Sequence, residues 1–347
     1  MAESTWFWSF ESPAALPGLA AEWDALNVAG KNVPMLDARF FELLLTEFSS
    51  GKEQLAICRD ADSIVAAGLI FPSRTGVWQT FQPSQAPIGP WLQRPDVSTK
   101  HLLSNLLNAL PGFSFAVGLT QLDPWLIARP ADNGALLGSD YIRTASIPVV
   151  GSFADYWSKR GRNLRQNLKR QRSRLNRESV NTRLRTVTSA DEAGDAVDSF
   201  GKLESSGWKA EQGTALHPDN SQGRFYRKLM EEYCGRSEVL IFEYYYDDRL
   251  VASDLCLHRQ GIIYILKTTH DEAQQGTSPA NLMRQEAFEQ VFDQGGFSQI
   301  EFYGRLMDWH TKWTDDIRLM YHLTRYRWPL LARLRSQVAR TTSPIPE

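Results

Sequence analysis

The chain has 347 residues, 42% of them hydrophobic and 11% aromatic, with a formal net charge of −2. That apolar share suffices for two ordinary domain cores, and near-neutrality excludes a global field that would draw it to nucleic acid, so no sequence-specific DNA binding is expected. Three scattered cysteines, Cys58, Cys234 and Cys256, argue against a disulfide scaffold or a zinc site and fit a reducing compartment. The first residues lack the basic and apolar regions of a signal peptide. The longest apolar run, around Ile64–Phe71, is too short to cross a bilayer. A soluble, cytoplasmic protein is expected, with peripheral contact at the inner face of the membrane as a further option.

Hydrophobic periodicity predicts helices over Leu16–Leu26 and Leu36–Phe48, then strands over Gln54–Cys58, Ser63–Phe71 and Val77–Phe81. A helix over Val97–Leu110 and strands over Phe113–Gly118 and near Tyr141–Val150 complete the first half. The segment Gln82–Pro90 contains Pro83, Pro87 and Pro90, which remove amide donors and make it a poor phosphate cradle.

Between the halves, a helix over about 153–177 carries nine cations from Lys159 to Arg177 and no acid between Asp155 and Glu178. Leu164, Leu168, Gln171 and Leu175 form one narrow seam at helical spacing. One side therefore packs, and the rest is either a solvated linker face or a surface for a phosphate-rich partner such as a pyrophosphate, an RNA or anionic lipid. A helix over Trp328–Arg340 mixes leucines with arginines and suits the same membrane contact.

The second half repeats the order of the first. A strand over Thr182–Thr188 precedes helices over Ala190–Ser205 and Ser221–Cys234. Three strands follow at Glu238–Tyr246, Leu250–Arg259 and Ile262–Thr269, separated by Asp247-Asp248 and Gln260-Gly261. A helix then runs from Pro279 to about Phe292, followed by strands over Gln299–Tyr303 and Leu319–Arg327. Ser278 is read as its N-cap, with Pro279 at the first helical position and Gly276 allowing close backbone approach. Such a helix start offers amide donors and a positive dipole end to a pyrophosphate. Gln275, Gly276, Thr277, Ser278, Ala280 and Asn281 are the expected donor-binding residues.

This element order is similar to the GNAT acyltransferase fold, here in tandem: an α/β (α+β) protein with mixed, mostly antiparallel sheets flanked by helices. Residues 1–150 form a degenerate copy and 151–347 the catalytic one. Leu203–Leu216 resembles the "LExxGWKxxxGTA" segment of the CelD/BcsL-like acetyltransferases. Lys267 to Asp271 with Ser278-Pro279 resembles their "K-x-x-[YH]-D…S-P-G" stretch, and Tyr303-Gly304, Asp308 and Lys312-Trp313 their closing motif. Ala280 departs from that pattern, which has glycine there. The resemblance implies an acyl-CoA donor, no metal, and an amine of a sugar, amino acid or lipid-linked acceptor, in envelope or exopolysaccharide synthesis.

Acyl transfer to an amine needs a base, an oxyanion stabiliser and a proton for the leaving thiolate. Asp254 leads the candidate bases, ahead of Asp308, Glu243 and Glu301. A carboxylate on a partly apolar strand face can have a raised pKa, although Asp254 also suits a structural ion pair with Lys267. Tyr303 is the candidate proton donor, and Lys267 a charge stabiliser in an otherwise apolar strand. Glu204, Trp208, Lys209 and Lys312 are expected to shape the acceptor site. Two alternatives remain: an aminoacyl-tRNA-dependent FemAB-like transferase, and a non-catalytic scaffold of a polysaccharide synthase.

Overall fold

A computed structural model describes residues 6–205 and 216–334. They form two compact units, one comprising the residues up to Ile142 together with those from Leu319, the other Arg143–Arg318. The chain thus passes between units in the middle of a strand rather than at residue 150, and its last strand returns to the first unit.

In the first unit, β1 (Phe7–Glu11), α1 (Leu16–Ala29), α2 (Ala38–Phe48), β2 (Gln54–Asp60), β3 (Ser63–Arg74), β4 (Val77–Thr80), β5 (Trp91–Gln93), α3 (Thr99–Ala109) and β6 (Ala116–Leu122) follow in order. Apolar residues of α2 recur at helical spacing, and Phe40, Phe41, Leu43 and Leu44 are buried. Strands β1 to β4 pair antiparallel in sequence, whereas β4 and β6 run parallel from Val77↔Ala116 to Gln79↔Gly118. Beyond that point the proline-rich loop fills the space. The Thr120 amide donates to Thr80 Oγ1 at 2.9 Å, Thr120 Oγ1 to Gln82 at 2.9 Å, and the Gly89 amide to Gln121 O at 3.1 Å. Strands β1 and β5 were not predicted, because each is short and lacks alternation.

The second unit begins within β7 (Leu136–Pro148) and continues through α4 (Phe153–Ser158), α5 (Arg162–Arg177), β8 (Thr182–Val187), α6 (Ala190–Ser205), α7 (Ser221–Cys234), β9 (Val239–Tyr246), β10 (Arg249–Arg259), β11 (Ile262–His270), α8 (Pro279–Gln294), β12 (Gln299–Phe302), α9 (Asp308–Thr311) and β13 (Asp316–Tyr326). Its sheet order is β7-β12-β11-β10-β9-β8, antiparallel except for β11 and β12. Gln260 and Gly261, both at positive φ (50° and 77°), make the tight turn between β10 and β11.

The basic segment is two helices, not one. It breaks at Lys159–Gly161, where α4 ends and Gly161 starts α5. Burial on α5 falls on Leu164, Leu168, Gln171 and Leu175. The three leucines join Leu282, Met283, Phe288 and Trp313 in one apolar cluster.

Both units share one order: strand, two helices, three antiparallel strands, helix, then a strand parallel to the third. The final strands are exchanged. The end of β7 pairs with β12 in the second unit, and the end of β13 with β6 in the first.

Candidate active site

The parallel ladder of β11 and β12 runs only from Ile262↔Gln299 to Ile265↔Phe302. There the strands part. Leu266 is an extra residue in β11, since Leu255 pairs with Lys267 while Cys256 pairs with Ile265. Bulges of this kind end pairing and re-aim side chains. The cleft that opens, about 280 Å³, is lined by Lys267, Thr268, Tyr303, Gly304, Trp309 and His310 among others.

Lys267 Nζ lies 3.2 Å from both oxygens of Glu204, and the Phe200 and Tyr226 rings face it at 5.9 and 5.6 Å. Glu204, at the end of α6, is buried and also accepts the Leu216 amide at 2.8 Å. The structure therefore pairs Lys267 with Glu204, not with Asp254. Tyr303 stacks on Tyr264 with ring centroids 6.0 Å apart. His310 stacks on Trp309 at 3.6 Å, and its Nδ1 accepts the Met307 amide at 2.9 Å.

Asp254 lies elsewhere. Its side chain is buried, and Arg284 of α8 reaches its two oxygens at 2.9 and 3.1 Å. Burial raises its carboxyl pKa, opposed by the charge and hydrogen bonds of Arg284 and the charge of His270. Both oxygens are committed, and the residue lines neither the cleft between β11 and β12 nor the basic cleft described below, so its place is that of a structural ion pair. Glu243 is held by Arg185 at 2.9 Å and Glu301 by Arg318 at 2.7 Å. Asp308 is exposed in the first turn of α9, between cleft-lining Met307 and Trp309.

The start of α8 differs from expectation. Ser278 is left-handed (φ 56°, ψ 50°) and its side chain caps nothing. Its carbonyl accepts the Asn281 and Leu282 amides at 3.0 and 3.1 Å, and its Oγ lies 3.3 Å from Asn167 Nδ2. Residues Glu272–Thr277 form a 3₁₀ turn, which draws their amides into local bonds. Thr277 points inward, accepting Tyr246 Oη at 2.9 Å, and Ala280 packs on the apolar cluster. Gly276 has open space around it and no positive φ. Of the six expected donor-binding residues, Ser278 and Asn281 reach a shared cleft.

That cleft, about 680 Å³, lies where the N-termini of α5 and α8 meet, with Lys159, Arg160 and Lys312 on its walls. Lys159 and Lys312 are exposed. Arg160 is fixed by a 2.7 Å bond to Trp313 O, while Asp315 is the acidic group at the rim. The first turn of α5 carries no acid, so its dipole is uncompensated and favours an anion.

Sequence reasoning missed Arg284, His310 and Asn167 as parts of these arrangements. Their partners lie 30, 3 and 111 positions away, and only the short-range His310 link had a local signal. Trp208 and Lys209 lie outside the described residues. Among the described residues, no group of three or more His, Cys, Asp or Glu side chains is placed to hold a metal ion.

Residues 162–311 match the family described as acetyltransferase (GNAT) domain. Among solved structures, the C-terminal domain of a lysylphosphatidylglycerol synthetase from Agrobacterium fabrum is similar at 13% identity and a TM-score of 0.58, covering 94% of this chain and 96% of that one. FemX is similar at 10% identity and 0.56, covering 91% and 98%. A conserved protein of unknown function from Bacteroides thetaiotaomicron follows at 8% and 0.52, covering 92% and 100%. No curated protein matches the chain by sequence. The chain thus has a mixed α/β fold of two GNAT-like units, and the match of residues 162–311 to a GNAT acetyltransferase domain supports an acyltransferase.

Proposed function

We propose that the chain transfers an acyl group from coenzyme A to an amine of a sugar or amino-acid-type acceptor, with the second unit catalytic. One observation carries the reading of the donor. Two 16-residue helices, α5 and α8, start at one cleft that also holds Lys159, Arg160 and Lys312. Helix N-termini and cations together suit a pyrophosphate, and about 680 Å³ is ample for part of a nucleotide carrier. The cleft between β11 and β12 takes the acyl end.

In that cleft Tyr303 gives a proton to the departing thiolate. The pair of half-buried Lys267 and buried Glu204 forms a fixed polar wall on the acceptor side. Asp308, exposed and flanked by cleft residues, is the base that the burial of Asp254 leaves available. Kinship with the CelD/BcsL-like acetyltransferases, and a place in envelope polysaccharide synthesis, belong to the same reading.

The test is thermal melting with acetyl-CoA, followed by thiol release with a panel of amino sugars and amino acids. Protection and amine-dependent thiol release are expected; neither with any amine would sink the reading. A second donor class, aminoacyl-tRNA, is favoured by exposed Arg162, Lys169 and Arg177 on α5. It requires binding of charged tRNA that weakens steeply with salt.

A further inference from the structure

We propose that His310 is a catalytic residue whose Nε2–H donates a hydrogen bond to the carbonyl oxygen of the acyl group during transfer, an inference that rests on the acyl-transfer reading above. The imidazole lines the cleft where β11 and β12 part, together with Tyr303 and Gly304. Its tautomer follows from one bond. The Met307 amide can only donate, and it does so to Nδ1 at 2.9 Å, so the proton of the neutral ring is on Nε2.

The ring is also held still. It stacks on Trp309 at 3.6 Å and meets Phe302 edge-on at 5.1 Å. Trp309 lies under the Arg284 guanidinium at 4.1 Å, which Asp254 fixes through two bonds. Asp254 and Arg284 are thereby positioning residues for His310. A donor aimed before the reaction starts needs no reorganisation when charge develops.

The ring is a donor rather than a base. Burial, then the charge of Arg284, pushes its pKa down to about 4. The charged and titratable groups around it are Arg284 on α8 with Asp254 on β10, Lys267 on β11 with Glu204 on α6, Tyr303 after β12, and Asp308 in its own turn. Buried Arg284 and half-buried Lys267 both have carboxylate partners.

In the step itself the amine nitrogen attacks the carbonyl carbon and forms the C–N bond, Asp308 takes the proton that the nitrogen loses, and the C=O π pair moves to oxygen. The resulting oxyanion accepts the Nε2–H bond. On collapse C=O re-forms, the C–S bond breaks with its pair on sulfur, and Tyr303 protonates the thiolate. The His310 proton never leaves nitrogen.

The test compares wild type, His310→Phe and His310→Gln with acetyl-CoA and an amine from the panel, alongside ¹⁵N-imidazole spectra of the wild type. His310→Phe should lower kcat by roughly 10²–10³-fold, the cost of one lost oxyanion donor, with acetyl-CoA affinity within about twofold by the same logic of transition-state-only contact. His310→Gln, which keeps an N–H near the Nε2 position, should recover most of that loss. The spectra should show a neutral Nε2–H tautomer from mildly acid to neutral pH. An active wild type with a near-normal Phe variant overturns the proposal while leaving the reaction standing, as does an Nδ1–H tautomer or a ring that titrates near its ordinary pKa. If the Phe variant melts early, the Gln variant and the spectra decide. An inactive wild type instead removes the acyl-transfer reading.

Discussion

Arg284 and Asp254 form a two-bond ion pair, Nη2 to Oδ1 at 2.9 Å and Nε to Oδ2 at 3.1 Å, with both side chains buried. It ties α8 to β10, and the outer face of the same guanidinium covers Trp309. A group read from sequence as a base is thus spent on holding a cation in place.

Asp254→Asn should therefore lower stability first, and turnover only through a less firmly held His310. It leaves Arg284 buried beside a neutral amide, a loss of about 3–5 kcal/mol, whereas Asp254→Leu with Arg284→Met should regain most of it. Denaturant unfolding of the single and double variants checks this. Full stability with lost turnover and a missing acidic limb in the pH–rate profile would return the base role to Asp254.

The basic cleft should respond to charge removal. Lys312→Ala and Lys159→Ala should each weaken acetyl-CoA binding about tenfold, equivalent to about 1.4 kcal/mol and at the low end of a hydrogen bond to a charged group. Titration calorimetry at two salt concentrations measures this, and the wild type should be the more salt-sensitive. Unchanged affinity in both variants would move the donor away from this cleft.

Glu53 in the first unit predicts an acid-sensitive step. Burial works against its charge, but hydrogen bonds from the Ser49 side chain and from the amide and side chain of Ser50 hold its carboxyl down to about 2, from an ordinary 4.5. A carboxyl depressed on folding stabilises the fold above its unfolded pKa. That contribution, about 3 kcal/mol at neutral pH, is lost as pH falls from 4.5 towards 2. Glu53→Gln should lower stability at pH 7 and flatten its pH dependence across that window. Parallel stability curves for the two proteins would refute it.

Gly89 tests how tightly the proline-rich loop fills the first unit. A Cβ there would lie 2.1 Å from Thr120 O, a backbone atom that cannot swing aside. Gly89→Ala should cost about 2–3 kcal/mol, as overpacking does, with no effect on acetyl-CoA affinity. A tolerated alanine, judged by the denaturant midpoint, would mean the loop is loosely seated.

The amino-acid order by itself determined the repeated succession of helices and strands, the Gln260-Gly261 turn and the α5 seam of Leu164, Leu168, Gln171 and Leu175. These depend on periodicity and turn chemistry, which neighbouring residues specify. The Lys267 signal was legible too, as a cation in an apolar strand, but its partner Glu204 lies 63 positions away. Tertiary structure alone decided that pairing, the burial of Asp254 against Arg284, and the left-handed Ser278 that binds Asn167 rather than capping α8. It also decided the exchange of β7 and β13, because strand partners are chosen by sheet edges that form only on folding. A side chain's chemistry is local, whereas its freedom to use that chemistry depends on which distant group reaches it first.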